Sequence, residues 1–118
     1  MTLQECYEKL NGNYEDVKMR MQMDKLIDKF ILKFPNDKTM EELTRAVNDG
    51  DIEASFDAAH TLKGLSANLG FEALTNAVSA LTEQLRSREN KADEDLYKDV
   101  LKKYELVIEV IKEYEAEK

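Results

Sequence analysis

One imidazole is present in the whole chain, at His60, and the residues spaced around it limit what it can do. Lys63 and Gly64 follow at three and four residues, Ala67 at seven, and Gly70 closes the run. Residues three, four and seven apart lie along one strip of a helix. The imidazole therefore sits beside a cation and beside a place where the side chain is missing. Nucleophilic hydrolysis would want a partner base or an oxyanion hole, and neither is marked here. Metal binding would need more ligands than one histidine and scattered carboxylates, and the single cysteine, Cys6, excludes a structural zinc site. Phosphoryl transfer asks for less. A neutral imidazole, whose ordinary pKa is about 6.5, is already a nucleophile at neutral pH. Positioning and charge stabilisation on the moving group do the rest. Lys63 supplies a cation one turn from the ring.

The helix that must carry this strip is readable from its apolar spacing. On a helical wheel, Ile52, Ser55, Phe56, Ala58, Ala59, Leu62, Leu65, Ser66 and Leu69 fall within one arc, and His60 lies about 130° from its centre. Asp57, Gly64, Ala67 and Asn68 neighbour His60 on the open side, with Lys63 between His60 and the arc. His60 is thus expected at the edge of the buried face, its ring accessible from water. Glycine inside a helix costs about 1 kcal/mol against alanine, so Gly64 implies close approach by something outside the helix. Gly64 and Ala67 leave room for a partner's loops.

The other elements follow in order. Thr2-Leu-Gln-Glu5 has capping-box spacing for a first helix near 2–10, broken by Asn11-Gly12-Asn13. Asn13 can cap a second helix near 14–34, which carries Val17, Met21, Leu26, Ile27, Phe30 and Ile31 inward and ends at Phe34-Pro35. Met19, Met21 and Met23 alternate, which is not a helical period, so some of them lie outside the core. Thr39-Met-Glu-Glu42 again matches a capping box, for a helix near 37–49 that Gly50 closes as a left-handed cap. Asp51 can cap the histidine helix near 52–69, which Gly70 ends by the same device. Phe71, Leu74, Val78, Leu81 and Leu85 form an apolar seam on a helix near 71–88. Asp93 or Asp95 opens a last helix near 93–117, with Leu96, Val100, Tyr104, Val107, Ile111 and Tyr114 inward. Short connections between amphipathic helices imply antiparallel neighbours. The expected fold is all-α: an antiparallel up-down four-helix bundle over about 37–117, with accessory helices near 2–10 and 14–34, in one domain of 118 residues.

Composition narrows the partners. With 42% hydrophobic and 36% charged residues and one proline, the profile is helix-rich and globular. A net charge of −8 with no basic concentration argues against nucleic acid as a partner. No apolar run approaches membrane-spanning length and no signal-peptide pattern opens the chain, so no membrane role is expected and a cytoplasmic location is. Without a sustained heptad seam beyond the bundle's own, a monomer is expected.

The run His60-Thr-Leu-Lys63-Gly64-Leu-Ser66-Ala67-Asn68-Leu69-Gly70 resembles the signature of histidine-containing phosphotransfer (HPt) domains. The likeness extends to Asp49-Gly50-Asp51 before the helix and to Phe71-Glu-Ala-Leu74 after it, and covers roughly residues 30–90. It implies that His60 carries a phosphoryl group between aspartates of response-regulator receiver domains, fed by a hybrid histidine kinase. It implies charge stabilisation by Lys63 and receiver docking around Gly64, Ala67, Asn68 and Asp57. Magnesium would belong to the receiver, and the chain would need no metal or cofactor of its own. In the family a glutamine or glutamate of the following helix often holds the second ring nitrogen. Thr82 aligns there, with Glu83 beside it, and threonine is the shorter side chain. No kinase domain or glycine-rich phosphate loop appears, so the chain is read as a carrier and not an enzyme. Two alternatives remain: a non-phosphorylated helical adaptor, and a phosphatase acting on a receiver aspartate.

Overall fold

Side-chain caps start four of the seven helices. The Thr2 hydroxyl accepts from the Glu5 amide while the Glu5 carboxylate accepts from the Thr2 amide, and this capping box opens α1 (Leu3–Lys9). Asn13 caps α2 (Tyr14–Met21) through the Asp16 amide at 3.0 Å. Asp51 caps α5 (Ile52–Asn68) and Asp93 caps α7 (Glu94–Ala116) in the same way. Each such bond satisfies an amide that the first turn would leave without a partner. The remaining helices are α3 (Asp24–Lys33), α4 (Thr39–Asp49) and α6 (Glu72–Leu85), with a 3-10 turn at Phe34–Asn36. This computed structural model describes residues 1–118.

Three local expectations are corrected. The helix expected over 14–34 is two helices, because Gln22 adopts the left-handed region at φ 63° and Met23 is extended. Asp24 anchors the break: its carboxylate accepts from the Tyr14 hydroxyl and from Lys18, which fastens α2 to the start of α3. Phe30, expected inward, is 39% exposed on α3, while Ile27 and Ile31 are fully buried. Thr39 is not a cap. The N-cap position is Lys38, whose side chain makes no capping bond; the Thr39 amide donates to the Asp37 carboxylate at 2.8 Å and the Thr39 side chain is buried.

The four C-terminal helices form the bundle. Helix α5 packs between α4 and α6, and α6 packs on α7. The Tyr97 hydroxyl donates to Thr44 at 2.8 Å and brings α7 back against α4. One apolar cluster of 26 buried residues runs through the molecule. Leu74, Val78, Leu81 and Leu85 of α6 and Val100, Val107 and Ile111 of α7 lie in it, as the sequence spacing predicted. Cys6, Tyr7, Leu10, Val17 and Ile27 belong to the same cluster, so the N-terminal helices complete the core rather than merely cover it. At about 1.5–3 kcal/mol for each fully buried large apolar side chain, that layer matters to the stability of the whole. No helix is long and apolar enough to cross a membrane.

Candidate functional site

Helix α5 is fixed at both ends. Gly50 closes α4 at φ 69°, which lets Asp51 follow at once as the α5 cap. At the other end Gly70 adopts φ 71°, and the Phe71 amide donates back to the Ser66 carbonyl. Between these stops Ser55, Phe56, Ala58, Ala59, Leu62 and Ser66 are buried. Asp57, His60, Gly64, Ala67 and Asn68 are exposed and Lys63 is half-buried, which is the division the wheel predicted.

Gly64 stands in open space. A Cβ built on it meets nothing within 4 Å, so no contact inside the molecule requires a glycine there. Ser66, three residues after Lys63, donates to the Lys63 carbonyl and accepts from Thr75 of α6 at 2.9 Å. It fastens the strip to the neighbouring helix and is a packing residue. Asn68 borders a shallow groove with Phe30, Phe34 and Leu65, and Ala67 lies beside it on the exposed side.

The His60 ring lies nearly parallel to the Phe56 ring, 5.9 Å between centroids and 9° between planes. No hydrogen bond reaches its nitrogens from Thr82 or Glu83. The Thr82 side chain is fully buried and its hydroxyl donates to the Val78 carbonyl at 2.7 Å, which occupies its one proton. Glu83 is exposed and holds Arg86 through two bonds, at 3.0 and 2.7 Å. Those bonds hold the Glu83 carboxyl below the usual carboxylate range, and the Lys63 charge acts in the same direction. Glu83 and Arg86 thus form an ion pair at the C-terminal end of α6, within reach of the Lys63 charge.

Sequence spacing did not reveal the residues that cover Phe56. The Arg88 guanidinium lies 3.7 Å from the Phe56 ring centroid and that of Arg86 lies 5.7 Å away. Both arginines follow α6, which ends at Leu85, three residues short of the helix expected near 71–88. Phe56 itself was within reach of inference, since it precedes His60 by four residues on one helix. No group of three or more His, Cys, Asp or Glu side chains is placed to hold a metal ion.

A family model described as the Hpt domain matches residues 25–115, which takes in α3 almost whole and α4 through the greater part of α7. No curated protein and no solved structure matches the chain.

Proposed function

This chain belongs to the Hpt domain family, phosphocarrier modules of two-component phosphorelays, and from that premise we propose that His60 is its phosphoacceptor. A neutral ring nitrogen of His60 attacks the phosphorus of an aspartyl phosphate on a receiver domain. The N–P bond forms as the P–O bond to the aspartate breaks, and the carboxylate leaves with the electron pair. The reverse step hands the group to an aspartate of another receiver. Any magnesium used belongs to the receiver. In this reading Lys63 offsets the charge on the moving phosphoryl oxygens, the term that commonly dominates such transfers. Gly64 and Ala67 leave the backbone bare for the receiver's loops, with Asp57 and Asn68 at the margins of the docking surface. The chain acts as a monomer that docks one receiver at a time and has no ATP-dependent labelling of its own.

One observation carries the proposal: the only histidine is exposed on the same strip as a helical glycine with nothing around it. The test is incubation with a receiver carrying radiolabelled aspartyl phosphate. A carrier takes up the label. A phosphatase releases inorganic phosphate and stays unlabelled, and an adaptor does neither. His60→Gln should abolish labelling and leave the melting temperature within about a degree, because the ring is exposed and its loss opens no cavity. Undiminished labelling of that variant overturns the assignment.

A further inference from the structure

An exposed imidazole without a hydrogen bond turns freely about its last side-chain torsion, which has broad, shallow wells. In-line attack needs the ring held, and misplacement by about 1 Å costs up to roughly a hundredfold in rate. What restrains His60 is a stack. The Phe56 ring, one turn earlier on α5, runs 9° from parallel to it. Phe56 is only 8% exposed, so the core holds it from within, and Arg88 lies 3.7 Å from its centroid.

Arg88 is unusually constrained for a surface arginine. Its Nε pairs with Glu53, three residues before Phe56, at 3.3 Å, and its Nη1 donates to the Arg86 carbonyl at 2.8 Å. Its backbone is left-handed at φ 58°, a conformation that costs a side-chain-bearing residue energy, and its amide donates to the Leu85 carbonyl at 3.0 Å. The loop after α6 is thus folded back so that one guanidinium lies over one aromatic ring, a favourable cation–π arrangement.

We propose that Arg88 is a positioning residue, which fixes the His60 imidazole for transfer by clamping Phe56 from outside. The inference rests on His60 being the phosphoacceptor. The guanidinium acts through the aromatic ring and not on the phosphoryl group. The stack does the work that Thr82, fully buried and with no hydrogen bond to the ring, does not do.

The test combines two measurements on the full chain. One is the single-turnover rate of transfer from a phosphorylated receiver, with the receiver concentration at half-saturation. The other is the order of the His60 ring by carbon relaxation in the unphosphorylated protein, which needs no partner. Arg88→Asn removes the cation but keeps a residue that tolerates positive φ, so the backbone is not disturbed. It should lower the single-turnover rate about fivefold, leave half-saturation unchanged and increase ring motion. Arg88→Lys, which keeps a cation over the ring, should restore part of both. Phe56→Leu should lower the rate, and adding Arg88→Asn to it should cost nothing further. An unchanged rate overturns the proposal, whatever the ring does. So does a lower rate with unchanged ring order, or losses that add in the double variant. Failure of the unaltered chain to take up label at all counts against the carrier reading, and the relaxation measurement still decides whether Arg88 restrains the ring.

Discussion

Two parts of α5 are treated in opposite ways by the rest of the chain. At its C-terminal end, the carbonyls that a helix leaves without partners are taken up from the N-terminal helices. The Tyr7 hydroxyl donates to the Leu69 carbonyl at 2.7 Å, Arg20 donates to those of Ala67 and Asn68, and the Asn13 amide donates to that of Gly70. Two turns earlier, around His60 and Gly64, no hydrogen bond reaches the ring and no atom approaches the missing Cβ. The same residue type marks both places for different reasons. Gly70 is required by crowding and by a positive φ, since a Cβ there would overlap Val17 and approach the Asn13 carbonyl. Gly64 has neither requirement, and under the function proposed above its bareness serves the receiver.

Substitutions at these positions sharpen the contrast. The largest effect expected is functional. Gly64→Gln should keep the helical signal and the melting temperature yet lose most phosphoryl acceptance from a receiver, by more than roughly tenfold, because a side chain there projects from the proposed docking strip. A small donor such as phosphoramidate, which needs little of that space, serves as the control. Full transfer from the protein donor would show that the receiver docks elsewhere. Next is Gly70→Ala, expected to cost about 3 kcal/mol, the sum of left-handed strain and overpacking against Val17. Urea unfolding measures it, and a cost below about 1 kcal/mol would mean that the end of α5 yields more easily than its contacts suggest. Tyr7→Phe leaves the buried Leu69 carbonyl without its donor and should cost about 1–2 kcal/mol by the same measurement. The smallest effect has the opposite sign. Gly64→Ala should raise stability by about 1 kcal/mol, visible as a melting temperature higher by a few degrees. A loss of stability there would end the claim that the space is empty.

The parts of this molecule that follow helical periodicity were legible in the sequence. The wheel separated Ser55, Phe56 and Leu62 from His60 and Gly64, because burial on a helix repeats with the turn. The caps at Thr2, Asn13 and Asp51 were legible because a cap is a bond between residues three apart, and Asp93 was one of two candidates with Asp95. Thr39 misled because Asp37, two residues earlier, competes for the same first-turn amides. The break at Gln22 depends on Asp24 meeting Tyr14 and Lys18, and nothing in Gln22 itself announces a left-handed residue. At the candidate site, everything on α5 could be placed and almost nothing reaching it from elsewhere could. Arg88 meets Phe56 across 32 positions through a loop that turns back, and no local rule encodes that path.

The seal at the end of α5 also has a kinetic consequence. Tyr7 and Leu69 are 62 positions apart, and the Lys9–Glu113 pair spans 104. The helices α4 to α7 pack in order along the chain, each on the next, and such near contacts form before distant ones because less chain entropy is lost in closing them. The N-terminal layer is therefore expected to dock last and to leave first, in local openings that need not disturb the His60 strip. Cys6 is fully buried on the inner face of that layer and is the only thiol in the chain. The rate at which a thiol reagent finds it would then be a clock for the opening of that layer, independent of whether His60 carries a phosphoryl group.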